Sequence, residues 1–349
     1  GIGNTTTGGV WVPTAVDLGA GRQEISIALS NGASCALLDD QSVKCWGKNN
    51  KGQLGLGNTS SNDVLTPHLV TFTGSSKPVK LFGALTAFCA LMDNGSVACW
   101  GGNDEGQLGL GDLIDRNTPT YLTLPANRQV TTLDIGKNFM CASFDDGTVA
   151  CSGDNNMGQL GIGNLPDELT LTFTQNLGGH ALSVDTSQHG ACSLLVNGSM
   201  ICWGYTVDDI FGVGYTGTFT LSTVPSLFPL IDSARNVATA SVGFTHTCVV
   251  LDDQSVSCWG NNNRGQLGLG NSSSNSVHTP DILTSLDPLR KATVEQQLVD
   301  PDNRDFRPKW GSYLHQLGAG AYDADDSSPW VPGIDWTYVA LSSPTVGCT

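Results

Sequence analysis

A cysteine followed ten positions later by a second cysteine occurs five times: Cys35/Cys45, Cys89/Cys99, Cys141/Cys151, Cys192/Cys202 and Cys248/Cys258. Trp-Gly follows the second cysteine in four of these pairs, and the first cysteines are 54, 52, 51 and 56 residues apart. The chain is therefore an array of one module of about fifty residues, and that period governs any reading of its fold. It also directs the search for function toward a repeated surface rather than one buried active centre.

The second module shows the local grammar. Cys89 to Cys99 runs CALMDNGSVAC, and Gly106 to Gly111 runs GQLGLG. Two short apolar runs flank Asp93-Asn94-Gly95-Ser96, a tight-turn tetrad that signals a β-hairpin. Equivalent turns are Asp39 to Ser42, Asp145 to Thr148, Val196 to Ser199 and Asp252 to Ser255. A hairpin centred there sets the two cysteines opposite one another on neighbouring strands, within reach of a disulfide after modest twisting. Zinc fits poorly, because each pair sits inside its own hairpin and no histidine lies at ligand spacing. A disulfide closing so short a loop contributes roughly 2.5–3 kcal/mol in the chain-entropy picture. Five of them imply an oxidising compartment, so the expected location is extracellular: secreted, or on a cell or particle surface.

Two further modules are hidden by loss of cysteines. Trp310-Gly311 precedes His315 to Gly320 (HQLGAG), a near copy of the Gly-Gln-Leu run. Counting back puts Lys309 and Val299 at the cysteine positions, with Asn303-Arg304-Asp305 at the turn. Asp335 to Cys348 resembles Gln23 to Cys35, which makes Cys348 the opening cysteine of a seventh hairpin, its partner expected outside this chain. Gly1-Ile2-Gly3-Asn4 matches Gly55 to Asn58, so the units read 1–54, 55–108, 109–160, 161–211, 212–267, 268–317 and a partial 318–349. The expectation is a closed ring of seven, with Gly1 and Thr349 flanking an incomplete last member.

These residues resemble the repeat of the regulator of chromosome condensation family: a small residue and His-Thr before the first cysteine strand (Gly243, His246-Thr247), an Asp-Gly-type turn, Trp-Gly, Gly-Gln-Leu-Gly-x-Gly and a later proline (Pro67, Pro119, Pro280). Unit three departs with Ser152 in place of the tryptophan, and unit four with Asp209-Ile210-Phe211 in place of Gly-Gln-Leu. The resemblance implies an all-β, seven-bladed β-propeller, each blade a four-stranded antiparallel sheet. Composition agrees, with 43 glycines in 349 residues and scarce helical periodicity. Founding members of that family bind chromatin and drive nucleotide exchange on the small GTPase Ran, whereas others serve as protein-binding platforms, among them a secreted β-lactamase inhibitor.

Net charge separates these outcomes. At −16, with a pI near 4.4, the protein repels phosphate backbones, and no nucleic acid partner is expected. Disulfides disfavour the nucleus as well, which leaves guanine-nucleotide exchange the weakest reading. No run of eighteen apolar residues exists, so no membrane-spanning helix is expected. The six histidines are scattered; His246 reads as a core histidine of its strand, and no catalytic constellation or cofactor motif emerges. Gly-Gln-Leu-Gly-Leu-Gly leads into a loop rather than a helix, so it is not a phosphate cradle.

Sequons occur at Asn4, Asn58, Asn94, Asn197 and Asn271, the first, second and fifth in one repeat position and the other two at hairpin tips. They are glycosylation candidates in a secreted protein. Asp323, Asp325 and Ser327 offer alternating oxygens of the kind calcium loops use, without the turn glycine or closing glutamate, which makes them a weak candidate. Arg290, Lys291, Arg304, Arg307 and Lys309 concentrate five of sixteen basic residues in unit six, either a drifted blade or a contact patch for an acidic partner or another copy. The expected function is a non-catalytic extracellular structural or protein-interaction module, able to belong to a larger surface or filament assembly. The alternative is a carbohydrate-binding or enzyme-inhibitory loop face.

Overall fold

The computed structural model describes residues 14–125, 128–206, 211, 220–227, 236–243, 245–269, 272–282, 298–300, 305–308, 322–323 and 326–329. The chain divides into two compact units, Gly1–Asp281 and Ile282–Thr349. Among the described residues every regular element is a strand, and no helix is long and apolar enough to cross a membrane.

Five four-stranded antiparallel sheets follow one another, each an up-and-down meander. The first joins β1 (Glu24–Leu29), β2 (Ala33–Leu38), β3 (Val43–Asn49) and β4 (Ser60–Val70). The second joins β5 (Pro78–Gly83), β6 (Ala87–Met92), β7 (Val97–Gly101) and β8 (Arg116–Tyr121). The third joins β9 (Val130–Ile135), β10 (Phe139–Phe144), β11 (Val149–Gly153) and β12 (Glu168–Phe173). The fourth joins β13 (Ala181–Thr186), β14 (Gly190–Leu195), β15 (Met200–Thr206) and β16 (Thr220–Leu227). The fifth joins β17 (Val237–Val242), β18 (His246–Leu251), β19 (Val256–Asn262) and β20 (Ser273–Ile282). The first strands of consecutive sheets lie side by side, which is the blade order of a propeller.

The sheets are out of phase with the sequence units. The cut at Gly55 falls between β3 and β4, so every fourth strand comes from the following unit. The reason is that the most recognisable motif, Gly-Gln-Leu-Gly, is a loop inside a blade and not a linker between blades.

At the centre of each sheet the cysteines stand directly opposite one another and are bonded: Cys35–Cys45, Cys89–Cys99, Cys141–Cys151, Cys192–Cys202 and Cys248–Cys258. The hairpin turns share one chemistry. The side-chain oxygen of Asp40, Asn94, Asp146, Asn197 or Asp253 accepts from the backbone N–H and hydroxyl of the Ser or Thr two residues on, at 2.5–3.1 Å. The next backbone position is left-handed, and glycine takes it in the middle three sheets while Gln41 and Gln254 adopt φ of 66°.

The apolar core lies between sheets. One cluster joins Cys35, Leu37, Val43, Cys45 and Leu54 of the first sheet to Leu81, Phe88, Ala90 and Trp100 of the second. The same pattern of cystine face against tryptophan face joins the third sheet to the fourth and the fourth to the fifth. Gly-Gln-Leu-Gly makes the latch: Trp100 Nε1 donates to the Gln53 carbonyl at 3.0 Å, and Trp203 Nε1 to that of Gln159 at 2.9 Å. Asn49, Asn103 and Asn155 brace each loop from below, accepting from Leu54, Leu108 and Leu160 N–H. Gly161, at φ of 67°, leaves room for the indole; an added Cβ would sit 2.7 Å from Trp203.

The second unit shows two ladders: β21 (Leu298–Asp300) with β22 (Asp305–Pro308), and β23 (Tyr322–Asp323) with β24 (Asp326–Pro329). A hairpin thus forms at the expected place in unit six. Its register pairs Leu298 with Pro308, two residues away from the expected opposition of Val299 and Lys309. Without a cystine, nothing pins that register.

Candidate functional site

An up-and-down meander gives each sheet two distinct ends. The turn after the first strand and the long loop after the third share one end, tied by bonds such as Lys48 N to Gly32 O, Gly102 N to Thr86 O, Asp154 N to Asn138 O and Tyr205 N to His189 O, at 2.8–3.0 Å. This is the loop end. The hairpin turns and the sheet-to-sheet connections form the opposite, tip end.

Acidic and apolar residues concentrate at the loop end of the second and third sheets. Lys51 reaches across from the first sheet to Asp104 at 2.7 Å and Asp115 at 3.2 Å, and the bonds to these carboxylates raise its ammonium pKa. Glu105 is pushed up by burial and by the surrounding Asp154, Asp167 and Asp104. Beside these carboxylates Leu113, Ile114 and Leu165 are exposed at equivalent loop positions.

The first strands converge on a cavity of about 210 Å³ at the same end. Ala84, Leu85, Ile135 and Val242 supply apolar wall, and Lys137 and Gln188 stand at its turns. Just inside, Asp134 on β9 accepts from the Thr186 N–H and hydroxyl, both at 2.8 Å. Burial raises its pKa nonetheless. Asp185 on β13 is raised to about 7 by burial and by Asp134, with Lys80 on β5 opposing the shift. His189 is lowered by burial and by Lys137, and His246, partly buried, by burial.

Asn58 is exposed at the loop end, while Asn94 and Asn197 are exposed at the tip end. Asn4, Asn271, Cys348, Arg290, Lys291, Arg304, Lys309 and Asp325 lie outside the described residues. Arg307 falls on β22, Asp323 on β23 and Ser327 on β24. Sequence reasoning missed Asp134, Asp185, Lys137 and Gln188. A signal existed: Asp134 and Asp185 occupy the position facing the first cysteine, where the other sheets carry Ala28, Phe82 and Ser241.

Known proteins place this architecture. Two models of the regulator of chromosome condensation (RCC1) repeat match residues 42–84, 94–143 and 254–294, and residues 25–53, 130–159 and 237–266. The ultraviolet-B receptor UVR8 of Arabidopsis thaliana is 27% identical over 86% of this chain and 68% of its own length. The probable E3 ubiquitin-protein ligase HERC3 of Homo sapiens is 28% identical over 61% of this chain, which spans only 20% of that protein. Among solved structures, human WBSCR16 superposes with a TM-score of 0.65 at 21% identity, covering 75% of this chain and 67% of that one. Prp20p of Saccharomyces cerevisiae, solved in a study of its binding to Gsp1p and histones, gives 0.62 at 20% identity over 77% and 65% of the two chains. Five complete four-stranded blades among the described residues, and repeat matches over more than half its length, make this chain a β-propeller of the RCC1 repeat family.

Proposed function

We propose that the protein is an extracellular, non-catalytic interaction module that binds a protein partner through its loop end. The observation that carries this reading is a division of labour within each repeat. Cystine and Asx turn recur in all five blades and the Asn brace in four of them, while Leu113-Ile114 and Leu165 with their carboxylates are special to blades two and three. A rigid frame that varies only in its loops presents a preorganised surface, which lowers the ordering cost of association. The partner it suits has a basic rim around an apolar centre. Five disulfides support the extracellular placement.

The test compares wild type with Asp104→Lys/Asp154→Lys and with Ile114→Ser/Leu165→Ser, using Asp40→Lys at the tip end as control. Co-purification from secretory fluid of the native source is expected to lose its stoichiometric protein with either loop-end pair and to keep it with the control. Loss of the partner with the tip-end variant alone would reject the loop end as the docking face.

A further inference from the structure

We infer that the cavity between the first strands is a binding site for a small carboxylate that carries a short apolar group. The argument begins with the frame. Four consecutive blades contribute the same turn, and its first residue is small in each: Ala84, Gly136, Ser187 and Gly243. Their backbone N–H groups are already used, each donating at 2.7–3.0 Å to the carbonyl three residues on. The frame is thus closed to a ligand, and selectivity rests on the residue that follows.

That residue is Leu85 in the second blade, Lys137 in the third and Gln188 in the fourth. Lys137 and Gln188 both line the cavity from adjacent turns, and among the described residues neither side chain has a hydrogen-bond or ion-pair partner. In a chain with twice as many acids as bases, 32 against 16, an ammonium lining a cavity with no ion-pair partner among the described residues is the unexpected feature. An ammonium and an amide from adjacent turns of one pocket offer donors for the two oxygens of a carboxylate. Ala84, Leu85, Ile135 and Val242 then receive an apolar stem. The pocket, about 210 Å³ and open on one side, has room for a short apolar stem against that wall.

The surrounding charges set a pH signature. Asp134 on β9 and Asp185 on β13 oppose an anion, Lys80 on β5 and Lys137 favour it, and His189 is held toward its neutral form. The Asp134 carboxylate is engaged by Thr186. Asp185, raised to about 7, gains its proton between pH 8 and 6, so binding tightens as pH falls through that window. The site functions whether or not a protein docks on the loops around it.

The ligand can be a free acid or the C-terminal residue of a peptide, since both present a carboxylate beside an apolar group. The experiment titrates the full chain with 4-methylpentanoate and 4-methylpentanamide, and with a pentapeptide ending in Leu as free acid and as C-terminal amide. Binding is followed by calorimetry or by NMR shifts of the Ile135 and Val242 methyls. The acids are expected to bind at least tenfold tighter than the amides, and Lys137→Met to lose that preference with an unchanged unfolding midpoint. Tighter binding of the peptide acid identifies a chain terminus as the ligand; tighter binding of 4-methylpentanoate identifies a free metabolite. Leu85→Trp, which fills the cavity from another blade, is expected to abolish both. Equal affinity for acid and amide, no saturable binding in the millimolar range, or undiminished binding in both variants would overturn the inference.

Discussion

Ile27 of the first blade and Leu133 of the third hold the same place, one residue before the position that faces the first cysteine. Ile27 is 57% exposed and Leu133 is 2% exposed. Ile25 and Leu29, on the same face of β1, are exposed as well, at 59% and 64%, while Leu81 and Val184 in the second and fourth blades are each at 3%. The tryptophans repeat the contrast. Trp100, Trp203 and Trp259 are fully buried, whereas Trp46 is half-buried and its indole N–H has no acceptor among the described residues. Equal sequence gives equal burial where the preceding blade is among the described residues, as it is for every blade but the first. A blade's tryptophan face is completed by the cystine face of the blade before it, so its stability belongs to pairs of repeats.

The sharpest test of that comparison is to truncate the same residue in two contexts. Trp100 lies against Phe72 and Phe88, with ring centroids 5.7 and 6.1 Å away, and donates to Gln53 across the blade boundary. Trp100→Ala removes a buried ring and a hydrogen bond together and is expected to cost about 3–5 kcal/mol in denaturant unfolding. Trp46→Ala, with neither full burial nor an acceptor, is expected to cost about 1 kcal/mol or less. Equal losses would mean that the tryptophan stabilises its own blade, and the pairwise account would fail.

A second contrast lies on the inner strands, where the first blade places Ala28 and the fourth places Asp185. The folded pKa of Asp185, about 7, stands above its ordinary 3.8, so the folded protein holds a proton that the unfolded chain has released between those values. Stability from this group is full below pH 3.8 and is lost as pH rises through 7. Asp185→Asn is therefore expected to stabilise the protein at pH 8, on the order of 2 kcal/mol once residual solvent is allowed for, and hardly at all at pH 4. Thermal melts across that range check it. A gain that is flat with pH would show that the carboxyl does not titrate in the folded state.

Local chemistry was legible in the sequence, and long-range burial was not. Cysteine spacing around an Asp-Gly-type turn determines which residues oppose one another, because a two-residue turn sets hairpin register. The Gly-Gln-Leu motif was legible as a loop, but its role as acceptor for the next blade's tryptophan was not, since Gln53 and Trp100 are far apart in sequence. The pairing of Asn94 with Ser96 explains why the sequon recurs at hairpin tips: Asn and Ser are the residues that build an Asx turn, glycan or no glycan. Asp134 and Asp185 escaped notice because a single acidic residue in a strand reads as a solvated face until three blades converge on it. Unit six shows the opposite limit. With the cystine gone, the hairpin formed where the spacing put it and in a register the spacing did not give.

The smallest effect tests a boundary where the latch tryptophan is missing. In the third blade Ser152 replaces the tryptophan, so nothing reaches back to Gln107 of the second blade as Trp100 and Trp203 reach their glutamines. The Ser152 hydroxyl is buried and has no hydrogen-bond partner among the described residues. A buried hydroxyl without a partner loses its hydration and gains nothing in return. Ser152→Ala is therefore expected to stabilise the fold by about 1 kcal/mol, a direction opposite to that of most core substitutions. Ser193, equally buried, donates to the Ser183 carbonyl at 2.9 Å, and Ser193→Ala should destabilise by a similar amount. Chemical denaturation of the two variants side by side reads the sign of each. If both destabilise, the Ser152 hydroxyl has a partner in solution, and the boundary between blades two and three is held by a polar contact after all.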